Sequence, residues 1–344
     1  MAVRNVFRLL VFVLSLVGGL ALLVFLIIRQ GPDVIFESIA GFGLMSFLGF
    51  ILISLLNFVF YSLRWQLIIN HHLPKGQGVS LFKMYKHRMG GFAVSYLTPA
   101  AQVGGEPVRM ALLGTEKNVS LKQSTSSVVL DIAFELSAYV LFIVAGVGLA
   151  LAQGLGDVNS LMAILLALLI FLVFLLAFFT AIAKGNGFFG PIFRLLKLDK
   201  MKKMKRVGGA ILDTENIMKD FLHKNPKLVF IVAFLSVLVI SFRIIEVFYI
   251  SYFFGVDLNF AQAFLVSTLP GIALLLPVPA GVGVFEGSFA AVFGLLAIPL
   301  NAVAFALVIR SRDLVFIIIG SIHIMAKGSS FLKKKILQPL LKGG

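Results

Sequence analysis

Apolar residues come in long blocks along this chain, divided by short polar or Gly-Pro breaks. Phe7–Ile28, Gly41–Leu63, Ser127–Leu151, Asn159–Ala183, Leu228–Phe254 and Asn301–Met325 are each long enough to cross a hydrocarbon core, which takes about 20 residues. The first block follows a short basic start and ends at Ile27, Ile28 and Arg29 without a small-residue cleavage pattern. It therefore reads as a retained helix and not as a signal peptide. Gly31-Pro32 makes the turn after it, and Arg64 with Trp65 closes the second block as interface anchors.

Two segments break this pattern. In Leu81–Leu113, basic residues (Lys83, Lys86, His87, Arg88) precede an apolar stretch, Met89–Leu97, that is too short to cross; the run TPAAQVGGEPVR then ends at Arg109. In Ala261–Ile298 the break is PVPAGVGVFEG, Pro277–Gly287. Both breaks carry Pro-Ala, then glycines, then a glutamate seven places after the proline: Pro99 to Glu106, and Pro279 to Glu286. Each segment reads as a re-entrant helical hairpin. The order span, span, hairpin, span then occurs twice, in 1–152 and 153–344. This predicts an all-α polytopic membrane protein with about six spanning helices plus two re-entrant hairpins in an inverted repeat, the arrangement in which broken helices mark a transporter's binding site.

Composition agrees: 60% of residues are hydrophobic, 13% are charged, and mean hydropathy is +1.04. A soluble chain of this length has too little interior for so much apolar surface. The formal charge of +15 follows from the positive-inside rule and an anionic leaflet, and needs no nucleic-acid partner. With both hairpins returning to the side they enter from, the basic loops 64–88, 114–123 and 184–227 and the basic tail fall inside with both termini. Loops 29–40, 152–159 and 254–260 fall outside, with Asp33, Glu37, Asp157 and Asp257 against Arg29. The 184–227 connector carries eleven Lys+Arg against four Asp+Glu. Its Ile192, Leu195, Leu198, Met201 and Met204 recur among basic residues, which suits either an amphipathic helix on an anionic surface or a solvated connector. Zero cysteines rules out disulfides and thiolate metal sites.

Charged residues inside apolar blocks cost about 2.5–3.5 kcal/mol each on insertion scales and are therefore paired or functional. They are Glu106, Arg109, Asp131, Glu135, Arg243, Glu246, Glu286, Arg310, Arg312 and Asp313. Arg243 and Glu246, like Arg310 and Asp313, are three residues apart, so each pair can meet locally on its own helix; Arg312 points elsewhere. Glu106 and Glu286 follow glycine-rich breaks whose freed N–H groups attract anions. The plainer alternative is a tight turn with the glutamate capping a helix. His71-His72 reads as solvated, and no GxSxG, HExxH or metal-ligand spacing occurs, so no catalytic residue, metal or cofactor is expected.

The runs TPAAQVGGEPVR and PVPAGVGVFEG resemble the two signature motifs of the lysylphosphatidylglycerol synthase transmembrane-region family, over about residues 5–330. The resemblance implies an inner-membrane protein with inverted repeats and re-entrant helices that handles a polar-headed lipid. The signature residues are Pro99, Gly104, Gly105, Glu106, Arg109, Pro279, Gly281, Gly283 and Glu286. The soluble aminoacyl-transferase domain of the full-length factor has no counterpart here, so synthase activity is not implied.

Together these readings give a flippase-like transporter working by alternating access on a polar-headed phospholipid, either aminoacylated phosphatidylglycerol or a polyprenyl-phosphate-linked lipid. The lipid phosphate would meet Arg109, Arg243 or Arg310, and an amine part would meet Glu106, Glu286 or Asp131. Glu246 and Asp313 complete the candidate site. An ion or small-solute transporter and a membrane glycosyl or headgroup transferase remain open alternatives. Expected partners are membrane lipids and anionic headgroups at the cytoplasmic face; a homo-oligomer stays open.

Overall fold

A computed structural model of the chain describes residues 2–97, 104–197, 205–276 and 278–332. Thirteen helices and no strand occur among these residues: α1 (Ala2–Gln30), α2 (Pro32–Phe42), α3 (Leu44–Asn70), α4 (Leu81–Leu97), α5 (Gly105–Leu113), α6 (Leu121–Ala152), α7 (Val158–Lys184), α8 (Phe189–Leu195), α9 (Lys205–Lys224), α10 (Pro226–Phe253), α11 (Phe260–Ile272), α12 (Val284–Leu295) and α13 (Ala302–Leu332). The protein is an all-α polytopic membrane protein. Helices are the natural response to these sequences, because a backbone in hydrocarbon must satisfy its own hydrogen bonds.

Local chemistry sets the helix ends. Ser120 and Gln123 form a capping box at the start of α6, and Asn259 with Gln262 does the same for α11. Asp157 accepts the Ser160 N–H at the start of α7, and Gly185 ends that helix in the left-handed conformation.

Four described helices, α3, α6, α7 and α10, are long and apolar enough to cross a membrane; α1 and α2, bent by 86° across Gly31, make a fifth if they count as one span. The sequence suggested six. The last of those, α13, has 31 residues but carries Arg310, Arg312 and Asp313 near its middle. The segment after Gly31-Pro32, read above as a loop, is helical: Pro at the first position of α2 has the φ a helix needs. Of the periodic apolar residues in the connector, Ile192 and Leu195 are exposed on α8, while Leu198, Met201 and Met204 lie outside the described residues. The apolar face of α9 instead turns inward, burying Met218 and Phe221 against Phe134, Phe178 and Ile182.

The main core joins α6, α7, α10, α11, α12 and α13 through Val147, Leu168, Val247, Leu265, Phe289 and Phe305. The outer faces stay apolar, with Ile170, Val173 and Phe230 on α7 and α10 exposed at 74%, 65% and 72%. In water such a surface would aggregate; it matches the acyl region of a bilayer.

The two segments that interrupt the blocks become helix–break–helix units, α4–α5 and α11–α12. Glycine makes the first possible. A Cβ on Gly105 would collide with the Gly91 carbonyl and the Ser95 hydroxyl, so no larger residue allows α5 to lie this close to α4. In the second break Gly283, with φ of 76°, touches the Gly19 backbone of α1. Helix α13 reaches across both units, packing against α4 and α12.

Candidate functional site

The face of α3 that turns inward is a polar stripe: Ser54, Asn57, Tyr61 and Arg64, spaced three and four residues apart as one helix face requires. Arg64 is therefore not an interface anchor. Helix α3 continues to Asn70, and Arg64 and Trp65 are both fully buried. The Arg64 guanidinium donates to Asp131 at 2.8 Å and to Glu135 at 2.8 Å, two carboxylates on one face of α6. Arg88 of α4 and Arg109 of α5 also donate to Asp131. Arg109 makes a second bond, to Glu106, at 2.8 Å. Three arginines and three carboxylates from four helices thus form one buried cluster. Aromatic faces cover it: Arg109 lies 4.3 Å from the Trp65 ring centroid and Arg88 4.7 Å from that of Tyr61.

A second cluster, of two arginines and three carboxylates, lies around α13. Here the local i, i+3 pairs that helical spacing allows are not formed. Arg310 turns away from Asp313 to Glu286 of α12, and its guanidinium also donates to the carbonyls of Ala280 and Gly281, each at 2.8 Å. Glu246 pairs with Arg312 at 2.8 Å and accepts the Ser54 hydroxyl at 2.6 Å, leaving Arg243 aside. Asp313 pairs with Arg312 at 2.8 Å and accepts the Tyr96 hydroxyl. Arg312, which the sequence left without a partner, is thus the bridge between Glu246 and Asp313. Tertiary geometry overrides helical spacing because a buried carboxylate gains more from a well-aligned fork than from proximity along one helix.

Among the described residues, an N–H at the start of the second helix of each unit is engaged within the protein. Glu286 accepts the Gly283 N–H at 2.8 Å, so it caps α12, and the Ser95 hydroxyl accepts the Gly105 N–H at 3.1 Å. Arg310 holds the carbonyls of a turn in which Ala280 sits at φ 52°, a conformation costly for a residue with a Cβ. These N–H groups are therefore not free for an anion, contrary to the sequence expectation. Pro279 and Gly281 are buried in this turn, and Gly104 caps α5; Pro99 lies outside the described residues.

Between the two clusters lies a cavity of about 210 Å³. Glu106, Arg109, Glu135 and Arg88 line it from the first cluster, Glu246 and Arg312 line it from the second, and Arg243 lines it as well. Arg243, Glu246, Arg312 and Phe92 also border a smaller cavity of about 80 Å³, lined further by Tyr96, Asp313 and Phe285. Of the sequence candidates, Glu106, Arg109, Arg243, Glu246 and Asp313 border these spaces. Asp131, Glu286 and Arg310 stand behind them and hold other groups in place. Arg64, Arg88, Tyr61 and Asn57 were missed, although the polar stripe on α3 could have revealed three of them.

Beyond the end of the first helix–break–helix unit, Glu116 collects Lys83 at 2.7 Å, Lys327 at 3.1 Å and His87 at 3.0 Å, and His87 in turn meets His323 at 3.1 Å. Partial burial opposes ionisation of Glu116, but the hydrogen bonds from Lys83, Lys327 and His87 and the Lys327 charge prevail and bring its carboxyl down to about 2. The contact ties α4 and the loop after α5 to the far end of α13. No group of His, Cys, Asp and Glu among the described residues could hold a metal ion.

The sequence matches the profile of the lysylphosphatidylglycerol synthase TM region over residues 6–320. The chain belongs to that family. It is also similar to a UPF0104 membrane protein from Methanothermobacter thermautotrophicus, 25% identical over 284 residues that cover 79% of this chain and 82% of the relative. No solved structure matches it. In this member of the lysylphosphatidylglycerol synthase TM region family, both sequence signatures contain a glutamate held by an arginine, Glu106 by Arg109 and Glu286 by Arg310. Only the first of these glutamates borders the larger cavity.

Proposed function

We propose that the chain is a flippase-like transporter that moves a phospholipid's polar headgroup through the cavity between the two arginine–carboxylate clusters while the acyl chains stay in the bilayer. The observation that carries this reading is the cavity of about 210 Å³, walled by four arginines and three carboxylates, inside a protein whose outer helices are apolar. Keeping so many charges away from water is costly unless they serve a polar cargo. The two helix–break–helix units, entering from opposite sides, would let the halves rock around this space. The connector 184–227 and the chain termini would face the cytoplasm. Aminoacylated phosphatidylglycerol, with its phosphodiester and amine, matches a lining of both signs.

The test is translocation of fluorescent phosphatidylglycerol in proteoliposomes. Wild-type protein should carry the lipid across, and Glu106→Gln should abolish transport while leaving expression and monodispersity normal. Full transport by Glu106→Gln would reject this cavity as the route. Chemical conversion of a lipid by purified protein would point to a transferase, and solute flux without lipid preference to a solute carrier.

A further inference from the structure

Six arginines lie in or against the two clusters, and five of them are neutralised within the protein. Arg64, Arg88 and Arg109 pair with Asp131, and Arg64 and Arg109 each take a second carboxylate. Arg310 pairs with Glu286, and Arg312 with Glu246 and Asp313. Arg243 makes no ion pair with any described residue. Its guanidinium lies 5.4 Å from the Tyr139 ring centroid and borders both cavities. The Tyr61 hydroxyl and the Tyr139 ring engage part of the guanidinium, but no carboxylate among the described residues closes a salt bridge on it, so its charge is not neutralised by a partner in contact.

A second observation points to the same space. Three buried polar atoms on residues lining the larger cavity have no hydrogen-bond partner in the protein: Nε of Arg88, Nε of Arg109 and Oδ1 of Asn57. These residues are 7%, 4% and 4% exposed. Buried polar atoms are ordinarily paired, so three unpaired ones on residues around one cavity point to a partner from outside the protein chain. Two are donors suited to an anion. The third is an acceptor, suited to a hydroxyl or ammonium group carried by the same ligand.

We infer that Arg243 is the receptor for a phosphate-bearing anion in this cavity, and that Asn57 accepts a hydrogen bond from a hydroxyl or ammonium group on the same ligand. The inference rests on the transport reading above for the source of that ligand, a lipid headgroup, but the recognition chemistry stands by itself. It separates the candidate cations. Arg310 is engaged by Glu286 and two carbonyls, and Arg109 by Glu106 and Asp131, so neither has a free fork for phosphate. Arg243 lines both cavities, together with Glu246 and Arg312 of the second cluster.

The experiment titrates purified full-length protein in neutral detergent, followed by native mass spectrometry, with phosphatidylglycerol, diacylglycerol, sn-glycerol 3-phosphate and inorganic phosphate in separate arms. Phosphatidylglycerol should bind and diacylglycerol should not. Arg243→Gln should weaken phosphatidylglycerol binding by about tenfold or more, the worth of a charged hydrogen bond. Arg243→Lys should recover part of the loss, because it keeps the charge and loses the fork; it also serves as the variant of record if Arg243→Gln proves unstable. Asn57→Leu should weaken phosphatidylglycerol more than inorganic phosphate. Binding of inorganic phosphate as tight as that of phosphatidylglycerol, with the same Arg243 dependence, would support the anion receptor while refuting a lipid as its source. Unchanged phosphatidylglycerol affinity in both Arg243 variants, or no binding of any phosphate compound to wild type, would overturn the assignment.

Discussion

Removing the charge of Asp131 should strand one particular arginine. Asp131 is fully buried and receives Arg64, Arg88 and Arg109. In Asp131→Asn, Arg64 still has Glu135 at 2.8 Å and Arg109 still has Glu106 at 2.8 Å. Arg88 keeps only Glu135 at 4.0 Å, a carboxylate already engaged by Arg64. Breaking a buried pair from one side costs about 3–5 kcal/mol, because the remaining charge is left uncompensated. With about 2.1 cal/mol/K of unfolding entropy per residue, that is a drop of roughly 4–7 °C in the melting temperature of a 344-residue chain. The structure further predicts which second change restores stability: Asp131→Asn combined with Arg88→Gln should recover at least about 2 kcal/mol relative to the additive expectation. The assay is unfolding in mixed micelles of the wild type, both single variants and the double variant. A double variant whose loss equals the sum of the two single losses would show that Arg88 is not the stranded charge and that the cluster is assembled differently.

Two further outcomes follow from packing and charge. Gly105→Ala pushes a methyl group into the Gly91 carbonyl and the Ser95 hydroxyl, and should destabilise the protein by about 1–3 kcal/mol in the same assay, whereas Gly148→Ala on α6, where nothing lies within 4 Å of an added Cβ, should be close to neutral. Glu116, whose carboxyl is held down to about 2 from its ordinary 4.5, gives stability that is fully present above pH 4.5 and is lost as pH falls towards 2; the wild type's advantage in melting temperature over Glu116→Gln should shrink across that window, and a constant difference would contradict the assigned contacts.

How much of this could be read from the chain differs between elements. The long apolar blocks announced α3, α6, α7 and α10, because the requirement that a membrane backbone satisfy itself leaves few alternatives. The charged residues inside the blocks were equally visible, since each is costly where it stands. Their partners were not. Helical spacing favoured Arg243 with Glu246 and Arg310 with Asp313, yet the fold brings Arg312 to Glu246 and Arg310 to Glu286, contacts that depend on how α10, α12 and α13 cross. Arg64 was misplaced because an Arg-Trp pair at the end of an apolar run imitates an interface anchor, while α3 goes on to Asn70. Arg88 was hidden among Lys83, Lys86 and His87, a basic stretch that looks solvated until α4 turns its last arginine inward. Glu286 followed the plainer of the two sequence readings by capping α12, which engages the Gly283 N–H within the protein.

Whether a lipid headgroup occupies the cavity between the clusters can be measured directly, because the chain has no native cysteines. A single cysteine placed by Asn57→Cys faces that cavity. Reconstituted protein is exposed to a phospholipid carrying a maleimide on its headgroup, and the adduct is read by intact-protein mass spectrometry. The expected result is a lipid adduct at position 57 that excess phosphatidylglycerol suppresses. Labelling of position 57 by a water-soluble maleimide, with no lipid adduct under the same conditions, would contradict it.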